Sequence, residues 1–160
     1  MTTPVSDSQV VLAKFLGSYL FYLAAFMPML SYPFILERYT HESIAVDIGG
    51  VLSLGLGITL FGAFFMALGC FASSLTRSQI VAAMITFAAG TGLYITGYLS
   101  DLPTSDPQWW HYVLRHTSML LHMEDFSTGI LDTRHIFLYF SLTGVFLFLT
   151  CKSVESRRWK

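Results

Sequence analysis

Two long apolar runs joined by a short polar turn dominate the hydrophobic pattern of this chain. Residues 50–72 and 78–100 contain no Asp, Glu, Lys or Arg. Between them stand Ser73-Ser74-Leu75-Thr76-Arg77, with Arg77 as the one charge. Each run exceeds the ~20 residues that a helix needs to cross the hydrocarbon core of a bilayer. So short a connection predicts a tight antiparallel hairpin. Residues 10–36 form a third apolar run, with Ser6 or Asp7 as its helix cap and Lys14 close enough to its start to reach the headgroups. Pro28 and Pro33 predict a kink in its far half. A fourth run, residues 136–151, is short for a span and needs a further turn from its flanks. The expected fold is an all-α polytopic membrane bundle in one domain. Its four spans are placed at about residues 10–36, 49–72, 78–99 and 136–151, with an outer segment over 100–135.

Small residues add a packing expectation. Gly55, Gly62 and Gly69 recur every seven residues on the first helix of the hairpin, and Ala83, Gly90 and Gly97 on the second. A face of small residues lets helix backbones approach closely in lipid, where burying apolar surface gives no drive for association. The plainer reading is that glycine is common in membrane helices.

The outer segment is more polar. Trp109, Trp110 and Tyr112 suit a membrane interface. Residues 113–135 carry an apolar face and read as one or two short helices lying on, or dipping into, the membrane surface.

Composition supports the membrane class. Of 160 residues, 54% are hydrophobic and 12% charged, against about 25% charged in soluble domains. A net charge of −1 gives no basis for nucleic-acid binding. Cys70 and Cys151 provide neither a disulfide framework nor metal spacing.

Four spans put both termini on one side, and Lys and Arg decide which. Lys14, Arg77, Lys152, Arg157, Arg158 and Lys160 lie with the termini; Arg38, Arg115 and Arg134 lie opposite. The termini and the Arg77 turn are therefore expected in the cytoplasm of a cell (inner) membrane protein.

Candidate chemistry is confined to the outer segment, with His111, His116, His122, Glu124, Asp125, Asp132 and His135. His122 and Asp125 are three apart, a spacing that puts two metal ligands on one helix face. No second ligand pair stands inside a span, and no glycine-rich phosphate loop is present. The expectation is no enzyme, no cofactor and no metal, with a membrane metalloenzyme or a non-transporting scaffold as alternatives.

Four stretches then resemble one family. Thr3-Pro4-Val5-Ser6-Asp7 with Val11-Leu12-Ala13-Lys14-Phe15-Leu16 is similar to the end of the cytoplasmic coupling segment of type-2 ABC transporter permeases. The stretch from Phe71 through Arg77 to Ala83 resembles that family's turn between its third-last and second-last helices. The stretch from His122 to Arg134 resembles its outer re-entrant segment, and Ser153-Val154-Glu155-Ser156-Arg157-Arg158-Trp159 its closing run. The nearest branch is the gliding-motility-associated one. Its members normally have six spans, two of them ahead of the coupling segment. This chain has four and starts within that segment, as a fragment, a misplaced start or a split gene would. The resemblance implies a permease that exports a substrate with a separate ABC ATPase subunit and a second permease subunit. Pro4 and Asp7 would lie on the coupling path, with Arg77 either there or anchored to lipid phosphate.

Overall fold

Polar residues precede each helix. The Ser6 backbone carbonyl accepts from the Gln9 and Val10 amides at 2.9 and 3.2 Å, and the Gln9 side-chain oxygen accepts from the Ser6 amide at 3.1 Å. Asp47 accepts from the Gly49 amide at 3.0 Å, Ser118 from Leu121 at 3.3 Å and Asp132 from Arg134 at 2.9 Å. The Asp47, Ser118 and Asp132 bonds each satisfy an amide that the first helical turn leaves without an internal partner. Asp132, a candidate in the outer segment, is thus a helix-capping residue.

The computed structural model describes residues 6–39, 47–100, 113 and 118–158. They form α1 (Asp7–Tyr39), α2 (Ile48–Leu75), α3 (Gln79–Ser100), α4 (Met119–Ser127) and α5 (Thr133–Arg158). No strand occurs among the described residues. Four of these helices are long and apolar enough to cross a membrane, over Asp7–Tyr39, Ile48–Leu75, Gln79–Leu99 and Thr133–Ser156. The protein is an all-α, multi-pass membrane protein. Pro4 and the aromatic cluster Trp109, Trp110 and Tyr112 lie outside the described residues.

The last helix is longer than its apolar run. The Asp132 cap starts it at Thr133, and it continues past Cys151 to Arg158. There the Lys152 ammonium lies 2.7 Å from the Glu155 carboxylate, one helical turn on. Helix α1 runs through Pro28 and Pro33 without interruption.

Helix α2 is the hub, touching all four others. In its most apolar stretch 39% of residues are buried, against 11% in each of the other three spans. Helix α5 packs parallel to it: Phe64 meets Tyr139, Phe71 meets Phe146, and Ser74 meets Ser153 farther along. Helix α1 runs antiparallel, with Leu30 against Gly55, Tyr22 against Gly62 and Lys14 at Ser73.

The two small-residue faces do not meet as one seam. Gly55 and Gly62 face α1, while a Cβ at Gly69 would meet Thr86 of α3 at 3.9 Å. A seven-residue step drifts about 20° per repeat around a straight helix, so the stripe turns from one neighbour toward the next. On α3, a Cβ at Gly90 would meet the Phe65 ring at 2.6 Å, and one at Gly97 the Ser118 hydroxyl at 2.9 Å. These glycines are notches for individual side chains.

Gly62 is the tightest notch, since a Cβ there would fall on the Tyr22 ring. Gly62→Leu should cost about 1–3 kcal/mol through overpacking, and Tyr22→Ala on top of it should recover part of the loss. Gly92→Leu should be near neutral, because no described residue lies within 4 Å of a Cβ there. Folded yield and thermal midpoint in detergent check the order. Equal behaviour of the two glycine variants would show that the notch does not matter.

Candidate functional site

The end of the bundle away from the Arg77 turn is built around α4. Its apolar residues repeat on one face, so Met119, His122 and Phe126 are all buried. Phe126 is fully buried, with its ring 2.8 Å from where a Cβ of Gly57 would stand. Gly57 lies nine residues into α2, about 13 Å along the axis. Helix α4 therefore dips into the bundle.

The chain can leave that depth because Gly129 adopts φ +80°. Its amide bonds to the Phe126 carbonyl, and the next, Ile130, to the Asp125 carbonyl at 2.9 Å. This paired C-terminal closure requires the left-handed backbone that glycine tolerates best.

Helices α4 and α5 bring four polar side chains together. His122 is 2% exposed, and its ring stacks on that of His135 with centroids 3.9 Å apart and planes tilted by 33°. Its Nδ1 lies 3.3 Å from the Tyr139 hydroxyl, on a tyrosine that is itself 1% exposed. Asp125 Oδ2 lies 3.8 Å from His135 Nδ1, a contact that becomes ionic when His135 is protonated. Among the described residues that buried nitrogen has no hydrogen-bond partner. His122 and Asp125, one turn apart on α4, thus bracket His135 from two sides. Tyr139 follows His135 by four residues on α5.

Sequence reasoning paired His122 with Asp125 but did not join His135 and Tyr139 to them. The available signal was their four-residue spacing across the start of an apolar span. Chemically, the cluster places proton acceptors and donors in apolar surroundings, where a polar group is costly unless partnered. Stacked imidazoles present ring faces to each other, and ring faces are not metal-ligating. Among the described residues, no three His, Cys, Asp or Glu side chains converge as metal ligands.

The opposite end gathers three elements. The Lys14 ammonium donates to the Ser73 hydroxyl at 2.9 Å, joining α1 to α2. The Ser153 hydroxyl donates to the Ser74 carbonyl at 3.4 Å, joining α5 to the same stretch. A cavity of about 280 Å³ lies among them, lined by Val10, Lys14, Ser74, Thr150 and Val154 among others. Arg77 is exposed in the three-residue turn that follows α2, and Asp7 stands in the first turn of α1.

Tyr139→Phe removes the hydroxyl from His122 and should lower the unfolding free energy by about 1 kcal/mol. Phe126→Ala opens a hole beside Gly57 and should cost about 3 kcal/mol or more. Thermal unfolding in detergent ranks the two, and a smaller loss for Phe126→Ala would mean that α4 is not anchored by that ring.

Comparison of the chain with protein-family models, with curated proteins and with solved structures finds no match.

Proposed function

We propose that this chain is a membrane-spanning permease subunit of an ATP-driven exporter of the type-2 ABC class. It would work in a cell (inner) membrane with a separate ATPase subunit and a second permease subunit. The observation that carries the reading is the meeting of three polar elements at one end of the bundle. The first turns of α1, the last turn of α2 just before the α2–α3 turn, and the tail of α5 are tied together through Lys14–Ser73 and Ser153–Ser74. A peripheral subunit pressing there acts on three spans at once, and each is a continuous helix able to carry a displacement along its length. The order of motifs along the chain and the excess of Lys and Arg at that end support the same reading.

In this mechanism the ATPase supplies the energy and the permease converts closure into rocking of its helices, a rigid-body movement about packed interfaces. Asp7 and Pro4 would hold the entry into α1 at the contact with the ATPase. Arg77 would contact either the ATPase or a lipid phosphate.

Orientation is checked in a chain with Cys70→Ala and Cys151→Ala. A cysteine introduced at Ser78 should resist an impermeant thiol reagent added outside intact cells, whereas one at exposed Leu131 should react. The reverse pattern would overturn the cytoplasmic assignment.

Coupling is checked in the complex with the ATPase subunit and any further spans it requires. Asp7→Ala with Pro4→Gly should lower substrate-stimulated ATP hydrolysis about fivefold or more, the low end of coupling between distant sites. Membrane insertion and the basal rate of the free ATPase should not change. Failure of any ATP-hydrolysing subunit to co-purify with the chain from native membranes would remove the transport reading altogether.

A further inference from the structure

A groove of about 820 Å³ runs between α2 and α3, within the ~300–1,000 Å³ range of ligand-sized pockets. Lys14, Ser73 and Gln79 lie at one end of it, and Phe65, Ala83 and Gly90 line its middle. Along α3 it extends from Gln79 to Tyr94, about 22 Å at the helical rise. Between its polar end and Tyr94 the lining is almost wholly apolar, with Phe61, Phe65, Met66 and Phe87 along it, which suits a hydrocarbon chain.

Its polar end is electropositive. The Lys14 ammonium has three donors, and one is used on Ser73 at 2.9 Å. Gln79 opens α3, whose first turn contains no acidic residue, so the positive end of that helix dipole is not neutralised locally. Arg77 precedes it by two residues.

We propose that this groove binds an anionic glycerophospholipid, with its phosphate on Lys14 and an acyl chain lying between α2 and α3. The inference rests on the groove alone and does not depend on the transport reading. The phosphate takes the remaining ammonium protons and the first-turn amides of α3. The acyl chain fills the apolar space between α2 and α3.

The test uses the full chain in detergent, titrated with phosphatidylglycerol or phosphatidylcholine of the same acyl chains and followed by native mass spectrometry. Wild type should hold phosphatidylglycerol about fivefold more tightly, the preference that one lysine gives an anionic lipid. Lys14→Gln should abolish the difference, and Lys14→Arg should keep it. Ala83→Phe, placed at an exposed groove position, should reduce binding of both lipids. Circular dichroism and elution volume report the folding of each variant. If Lys14→Gln does not fold, Ala83→Phe alone decides. Equal retention of the two lipids by wild type, or unaltered binding by folded Ala83→Phe, would overturn the proposal. So would loss of a dimer in place of loss of lipid, which would assign the groove to a second copy of the chain.

Discussion

Close approach to α2 is the constraint on which the rest of the structure depends. In hydrocarbon an exposed leucine costs nothing, so helices stay together through tight fit and through polar contacts shielded from water. Gly62 provides both at one point. Side chains on a helix lean toward its N-terminus, so residue i+4 overhangs the carbonyl of residue i. With no side chain at Gly62, the Ile58 carbonyl is open, and the Tyr22 hydroxyl donates to it at 3.0 Å while its ring occupies the notch. Tyr19 repeats the arrangement one residue on, donating to the Thr59 carbonyl at 3.2 Å beside the small Ala63. Tyr19 and Tyr22 are the hooks that fasten α1 to α2.

The four spans and the hairpin were legible because long apolar runs with at most one charge admit few other structures. The start of the first helix was legible at Ser6, whereas Asp132, counted among the polar residues of the outer segment, is the cap that starts the last helix at Thr133. The depth of α4 was not, since its composition fits a surface helix as well as a buried one. Its position follows from Phe126 finding a glycine, Gly57, that lies off the seven-residue stripe. The stripe itself suggested a single seam between α2 and α3. It could not reveal that successive glycines on a drifting face serve different neighbours.

The two polar ends differ in kind. At the Arg77 end the contacts are exposed or half-buried and involve flexible Lys and Ser side chains, as suits a surface that meets solvent and headgroups. At the α4 end, His122 and Tyr139 are sealed among aromatic rings, and the cost of burying them is offset by partners fixed in place. Such a cluster holds α4 in one orientation, because turning the helix would expose Phe126 and separate the stacked imidazoles.

Between these ends α2 and α5 form a continuous aromatic ladder. Tyr139 lies 6.2 Å from Phe64, Phe64 lies 5.8 Å from Phe146, and Phe146 lies 5.7 Å from Phe71, centroid to centroid. Ring pairs at these spacings resist sliding, because a shift by one residue would misalign several edge-to-face contacts together. Helices α2 and α5 therefore act as one stiff pair, with the histidine cluster near one end and the Ser74–Ser153 contact at the other. Helix α1 is attached differently. Beyond Leu30 a groove of about 530 Å³ opens between its proline-containing half and α2. Pro28 and Pro33 leave the Ala24 and Met29 carbonyls without their usual helical amides. If the bundle rocks, the compliant parts are α1 above its tyrosine hooks and the thinly covered α3, while α2 and α5 move as a body.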